Sequence, residues 1–292
     1  MAAWKQSFRG RGLGGALVFV LAGVPTAAPH RAGTEDSGDR AVRTEPRTTG
    51  QWIWTSTDLE RYQGERGRTP DLVPAVLVGT LTPGSARAFR RSRGLSPARA
   101  GDRVGLVLRF DDALREVFER EPRTAVDDEL AEVAREVVGE AEATGVTVSE
   151  LQLDFDAPVR LLPRWAEAAG RVANSLRVPV WVTSIPAHLY AREYGALFHD
   201  RVAGHVIQLF DLGIPCTSPE SERLRRALAR ARLPFRIGSA AFERAGRPTE
   251  HACFRKQALA LREVPGYSGD WLFPGGEDPR AAFAELAQIE ER

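Results

Sequence analysis

The stretch Leu151-Gln152-Leu153-Asp154-Phe155-Asp156 reads as a β-strand with two unlike faces. Successive strand side chains alternate, so Leu151, Leu153 and Phe155 share one face and Gln152, Asp154 and Asp156 the other. A buried parallel strand normally carries apolar side chains on both faces. Here an amide and two carboxylates fall within about 13 Å of chain, at a rise of about 3.3 Å per residue. Two acids two residues apart on one face repel and are expected to titrate as a coupled pair. Folding requires no such arrangement, whereas acid/base chemistry can use it. The competing structural reading makes Asp156 a turn residue ahead of Ala157-Pro158 and Asp154 half of a buried ion pair.

Outward from this strand, short β-rich runs alternate with helical stretches. Strands are expected at Trp52–Thr55, Ala75–Thr80, Val104–Phe110, Glu150–Phe155, Val180–Ser184, Val206–Phe210, Phe235–Ser239 and Trp271–Phe273. Helices are expected at Ser85–Arg93, Val126–Ala143, Leu162–Leu176, His188–His199, Ser221–Ala231, Glu250–Arg262 and Pro279–Glu290, with a short one at Ala113–Arg120. Asp58–Arg68 is weakly patterned and reads as a loop. Such alternation implies right-handed β-α-β units around a parallel sheet. Eight strands in about 240 residues match a (β/α)8 TIM-like barrel, with irregularity expected at its first and last units. An open doubly wound sheet would advertise a glycine-rich phosphate loop after its first strand, and none follows Trp52–Thr55.

A barrel places its chemistry at the C-terminal ends of the strands. Arg109 and Asp111, Asp154 and Asp156, Thr183, Gln208 and Asp211 fall at such ends, and Glu243 follows the seventh strand. Arg109 and Asp111 share a face, where Arg109 is able to hold a carboxylate by a charge-assisted bond. Asp111 or Asp112 doubles as a helix cap. Along Val206–Asp211, either Ile207, Leu209 and Asp211 or Gln208 and Phe210 point inward, and alternation alone does not choose between them. Trp52 and Trp54 share a face of the first strand, where they serve either as core or as a sugar-stacking platform.

The 292 residues carry a net charge of +1, which gives no global field toward nucleic acid. Lys5 and Lys256 are the only lysines among 40 basic residues, a bias read as arginine-rich codon usage. The five histidines form no HxH or HExxH pattern, so no metal is expected, and no motif calls for a cofactor. No GxSxG elbow occurs. Residues 1–28 look like a signal peptide or N-terminal anchor: Lys5, Arg9 and Arg11 precede an apolar run from Leu13 to Val24. Export to the periplasm, the envelope or the exterior is therefore expected, with membrane contact only through an uncleaved N-terminus. Residues 29–50 hold little to bury and read as a disordered linker, leaving 51–292 for the barrel. Cys216 and Cys253, the two cysteines, are either a disulfide in an exported protein or two separate thiols.

The Leu151–Asp156 strand, the Thr183-x-x-Pro186 strand end and the Val206-Ile-Gln-Leu-Phe-Asp211 strand resemble the bacterial family called domain of unknown function 3142, over roughly Gln51 to Phe242. That resemblance implies a tryptophan-rich first strand, met by Trp52 and Trp54, and an aromatic after the Pro of strand five, where His188 stands. The same strand is also similar to chitinase-like barrels, which end strand four in D-x-D-x-E. Here Gln152, Asp154 and Asp156 hold those positions, with an amide for the first acid and Asp for the Glu. Other retaining barrels pair such an acid with an Asp on strand six, the place of Asp211. These likenesses imply a glycoside-hydrolase-like barrel acting on a polysaccharide or glycan, with Asp154, Asp156, Asp211 and Asp111 as candidate acids. Gln152, Arg109, Trp52, Trp54, Gln208, Thr183, His188 and Glu243 are the candidate substrate contacts. The alternative is a barrel that binds glycan or an envelope partner without turnover.

Overall fold

In the computed structural model of the chain, the residues described are 47–65, 72–209, 217–240 and 257–273. The strands are β1 (Gly50–Ile53), β2 (Val73–Pro83), β3 (Phe89–Arg93), β4 (Arg103–Phe110), β5 (Thr147–Asp154), β6 (Val180–Ser184), β7 (Gly204–Gln208), β8 (Phe235–Ala240) and β9 (Tyr267–Phe273). Eight of them run parallel in the order β1-β9-β8-β7-β6-β5-β4-β2, and β1 pairs with β2 (Trp52↔Ala75) to close the ring. The fold is a (β/α)8 TIM barrel. The eight expected strands are the eight that close it, with ends shifted by up to a few residues. Thr48 and Thr49, which the sequence reading left in the linker, already bond to the barrel: Thr48 N donates to Ser268 O at 2.9 Å and Val73 N to Thr49 O at 3.0 Å.

Helices α1 (Ser56–Glu65), α2 (Leu114–Arg120), α3 (Arg123–Glu142), α4 (Leu162–Ser175), α5 (Pro186–Tyr190), α6 (Tyr194–Phe198) and α7 (Ser218–Ala231) alternate with the strands, and residues 257–261 are also helical. Helix α3 buries Val126, Leu130, Val133, Ala134, Val137, Val138 and Ala141, the stripe a 3.6-residue period gives. Helix α4 starts with Pro163 in its first turn, where the missing N–H costs nothing, and buries Leu162, Trp165, Ala166, Ala169 and Val172.

Three expectations change. The single helix expected at His188–His199 is two short ones, α5 and α6, interrupted by a turn at 191–193. Residues 85–93 do not form a helix: Phe89–Arg93 is β3, antiparallel to the upper half of β2 (Thr80↔Ser92, Thr82↔Arg90). The single buried apolar residue, Phe89, sits in a run of arginines and gives no helical stripe. Pairing along the long β2 provides the order. Of the weakly patterned 58–68 segment, residues 58–65 are instead helical within α1, and the remainder lies outside the described residues. The entry to α1 is fixed by Asp58, whose Oδ2 accepts from Trp54 N (3.2 Å) and Thr55 N (2.9 Å) while Thr55 Oγ1 accepts from Asp58 N (3.1 Å).

Strand β5 divides as its alternation predicts. Leu151, Leu153 and Phe155 face the helices; the Phe155 ring lies 5.4 Å from Phe118 and 5.3 Å from Trp165. The lumen is filled by Trp52, Ala75, Val107, Trp181, Val206 and Trp271. Indoles fit there because other barrel strands offer glycine beside them. A Cβ on Gly204 would stand 2.5 Å from Trp181 Cζ3 and 2.5 Å from Pro234 O, and one on Gly238 2.8 Å from Trp52 Cη2. Gly204→Ala is accordingly expected to lower stability by about 1–3 kcal/mol, since a backbone carbonyl cannot move aside as a flexible side chain can. Urea unfolding measures it, and an unchanged midpoint would show that the lumen is loosely packed.

A polar column runs through this apolar lumen. Arg236 Nη1 meets Glu150 at 2.7 and 2.8 Å, with both side chains 6% exposed. The guanidinium lies over the Trp181 ring, 3.7 Å from its centroid. Gln152 donates to Glu150 Oε1 at 2.7 Å and accepts from Trp52 Nε1 at 2.6 Å. Among the described residues no helix is long and apolar enough to cross a membrane.

Candidate active site at the barrel mouth

Asp154 ends β5 on the lumen face, one step above Gln152, where the polar column reaches the C-terminal rim. Its Oδ1 accepts from Gln208 Nε2 at 3.0 Å. That bond decides the alternation of β7: Val206 and Gln208 point inward, and Ile207 and Leu209 join the outer core. Burial, and then the charge of Asp156, raise the Asp154 pKa from 3.8 to about 6, against the pull of Thr183, Arg109 and Gln208. A buried carboxylate beside another acid holds its proton longer, because ionising it would place two negative charges together in poorly solvated surroundings.

Asp156 stands two residues further along, at the rim, with an exposed face. Its pKa is also raised, first by the protein that partly desolvates it and then by Asp112, while Arg109 and Arg115 oppose the shift. Arg109, at the end of β4, is paired in register with Asp154 on one side and Thr80 on the other. Its guanidinium lies over the Trp54 ring, 4.9 Å from the centroid, and Phe273 meets the same indole edge-on at 5.0 Å. Asp154, Asp156, Arg109, Thr183, Gln208 and Trp54 are thus gathered at one end of the barrel.

Other candidates lie elsewhere. Trp52, 2% exposed, and Gln152 are lumen residues below the mouth, engaged with each other and closed from solvent. Asp111 Oδ1 accepts from Ala113 N at 2.9 Å, so it caps the turn into α2, and Asp112 pairs with Arg115 at 2.7 Å. His188 is buried, and its Nε2 donates to Ala157 O at 2.7 Å, which fixes the proton on that nitrogen. The ring thereby ties α5 to the residue next to Asp156 instead of facing the mouth. Asp211, Glu243, Cys216 and Cys253 lie outside the described residues. Among the described residues, no group of three or more His, Cys, Asp or Glu side chains gathers as a metal site.

Sequence reading missed Glu150 and Arg236, although Glu150 shares the alternation of Gln152 and Asp154 and was therefore detectable. It also missed the histidine layer outside the barrel. His205 Nδ1 lies 3.0 Å from the Ser184 hydroxyl, and burial lowers its pKa to about 3 and that of His188 to about 4. In the unfolded chain both return to about 6.5, so between about pH 6.5 and 3 the unfolded state binds more protons and stability falls with pH. Asp154, raised to about 6 in the fold, works the other way as pH falls from 6 toward 3.8. The two histidine shifts are set against the raised carboxyls of Asp154, Asp156 and Asp127 and are taken to outweigh them, so the urea midpoint is expected to be lower at pH 4.5 than at pH 7. A midpoint that rises on acidification would contradict neutral, buried imidazoles.

Compared with solved structures, the chain is similar to the family 18 chitinase from Crocus vernus: 11% identical, TM-score 0.54, covering 84% of this chain and 98% of that one. It is also similar to a GH113 β-1,4-mannanase (16% identity, TM-score 0.49, 78% of this chain and 87% of that one). The GH113 β-mannanase AaManA from Alicyclobacillus acidocaldarius is 15% identical at TM-score 0.49, over 82% and 90%. At these identities the likeness is one of fold, and it rests on the first of the three. No curated protein and no protein-family model matches the chain. The resemblance to domain of unknown function 3142 therefore stands on its motif residues alone, while the fold, a TIM barrel, is shared with the chitinase from Crocus vernus.

Proposed function

We propose that this chain is a glycoside-hydrolase-like barrel that cleaves a polysaccharide or glycan through the acids at the end of β5. The observation that carries this reading is Asp154, buried at the mouth and holding its proton to about pH 6, first because it is desolvated and then because Asp156 is beside it. Glycoside hydrolysis needs a group that delivers a proton to the leaving oxygen and a second carboxylate for the sugar carbon or the water. Asp156, exposed at the rim, is the acid/base or nucleophile; Asp154 tunes and orients it from below. With Asp111 occupied in a turn, Glu243 is the proposed source of the second carboxylate, ahead of Asp211, which shares the alternation of the outward-facing Ile207 and Leu209. Arg109 and Trp54 form the wall against which sugar would lie. The solved structures of similar fold include a chitinase, which supports a glycan as substrate. The basic and apolar N-terminal segment adds export to the proposal.

The test is release of reducing ends by the full chain from a panel of insoluble and soluble glycans, beside Asp156→Asn. Release that disappears in the variant supports the assignment. Equal release by both assigns the chemistry elsewhere, and saturable binding without release would mean a binding barrel.

A further inference from the structure

The β2–β3 hairpin extends one wall of the mouth, and its chemistry is basic. Strand β1 pairs with β2 only along Val73–Val76. Above that, along Gly79–Pro83, β3 takes the place of β1 as the neighbour of β2. The barrel face therefore continues upward as a three-strand shelf of β3, β2 and β4. On one side of it, Leu81, Phe89 and Phe110 are buried in the core, and Arg91 pairs with Glu140 on α3. On the other side, continuous with the lumen, stand Thr80, Thr82, Arg90, Ser92 and Arg109, placed by the pairings Thr80↔Ser92, Thr82↔Arg90 and Thr80↔Arg109.

Neither shelf guanidinium has a carboxylate within ion-pair distance among the described residues. Arg90 Nε donates to Thr82 Oγ1 at 3.3 Å, and Arg109 lies over Trp54. Arg90 is exposed, and β3 and its partner β2 offer hydroxyls (Ser92 and Thr82) but no acid. Many other surface arginines here are neutralised: Arg91, Arg115, Arg120, Arg123, Arg160 and Arg171 each hold a carboxylate. Arg90, with no carboxylate partner among the described residues and set among hydroxyls, and Arg109 at the inner end of the shelf, where it also faces Asp154 and Asp156, suit an anionic, hydroxylated polymer, because the planar fork binds a carboxylate through two parallel hydrogen bonds.

We infer that the glycan taken by this mouth is anionic, a uronic-acid-bearing polysaccharide whose carboxylates bind Arg90 and Arg109 as the chain passes over the β2–β3 shelf. This rests on the proposed glycan-cleaving function for the substrate's path, and on the shelf alone for its charge. Sulfate esters share the same chemistry, so the test separates the two.

The experiment is affinity electrophoresis of the full chain through polygalacturonate, dextran sulfate and neutral β-mannan, with reducing-end release measured on the same polymers. Arg90→Gln is compared with Arg135→Gln, a charge control on the exposed side of α3. The expected result is retardation by polygalacturonate that falls about five- to tenfold in Arg90→Gln, the scale of one charge-assisted contact at an exposed site, and is unchanged in Arg135→Gln. Retardation by dextran sulfate alone, lost in Arg90→Gln, would keep the anionic shelf and make sulfate the ligand group. Retardation by β-mannan alone, or equal loss in both variants, would overturn the inference while leaving glycan cleavage in place. No retardation by any polymer would overturn it too. Retardation without any release would remove the hydrolase reading and keep the shelf.

Discussion

Asp156→Asn is expected to lower kcat on the susceptible glycan by about 10²–10⁴-fold with a small change in KM, the range by which a positioned proton donor or acceptor accelerates a reaction. The amide keeps the size of the carboxylate and its place on the rim, so loss of turnover without loss of binding would separate chemistry from sugar recognition. The pH dependence has a definite sign. Asp154 holds its proton to about pH 6, so kcat/KM is expected to decline as pH rises through that value. Removing the Asp156 charge removes the second-largest cause of that elevation, so any residual activity in Asp156→Asn should lose its proton at lower pH. A variant that keeps wild-type kcat would show that Asp156 is only the turn residue that its Ala157-Pro158 neighbours also suggest.

Arg236→Met is expected to destabilise the fold by about 3–5 kcal/mol, because it leaves Glu150 ionised in the lumen without its counterion. Among the described residues, Gln152 would then be the one neighbour donating to that carboxylate. The guanidinium also fills the space over Trp181 at 3.7 Å, so the loss includes packing as well as charge. Removing both charges should be far milder. Glu150→Leu combined with Arg236→Met deletes the pair together, and paired removal of buried ions by apolar side chains is often neutral. Denaturant unfolding of the two single variants and the double gives the coupling. Additive single effects would mean that the pair is not the unit holding this layer together.

Much of the fold was legible because a strand buried on one polar and one apolar face leaves a period of two in the sequence. Leu151, Leu153 and Phe155 against Gln152, Asp154 and Asp156 is such a pattern, and the structure keeps the division through Asp154. The other barrel strands were legible for a different reason, each being a short apolar run set off by turn residues. Strand β3 was not. Phe89-Arg-Arg-Ser-Arg93 has almost no apolar signal, and its order comes from an antiparallel partner that begins sixteen residues earlier at Val73. The inward face of β7 was likewise undecidable locally: alternation gives two sets, and only the bond from Gln208 to Asp154, across 54 residues, chooses one. The tryptophans misled in the opposite way. Trp52 fits a sugar platform by residue type, but a glycine on another barrel strand gives its ring room inside the barrel. His188 shows the same limit, since the carbonyl that engages it belongs to Ala157, 31 residues away.

The most direct test of the central claim needs no knowledge of the substrate: carboxyl-carbon NMR titration of Asp154 in the full chain and in Asp156→Asn. The account predicts that Asp154 titrates near 6 in the wild type and at a lower pH when Asp156 loses its charge, while burial still holds it above the ordinary carboxylate value. An Asp154 that titrates in the ordinary carboxylate range, and does not respond to Asp156→Asn, would contradict an acid/base pair at the mouth of this barrel.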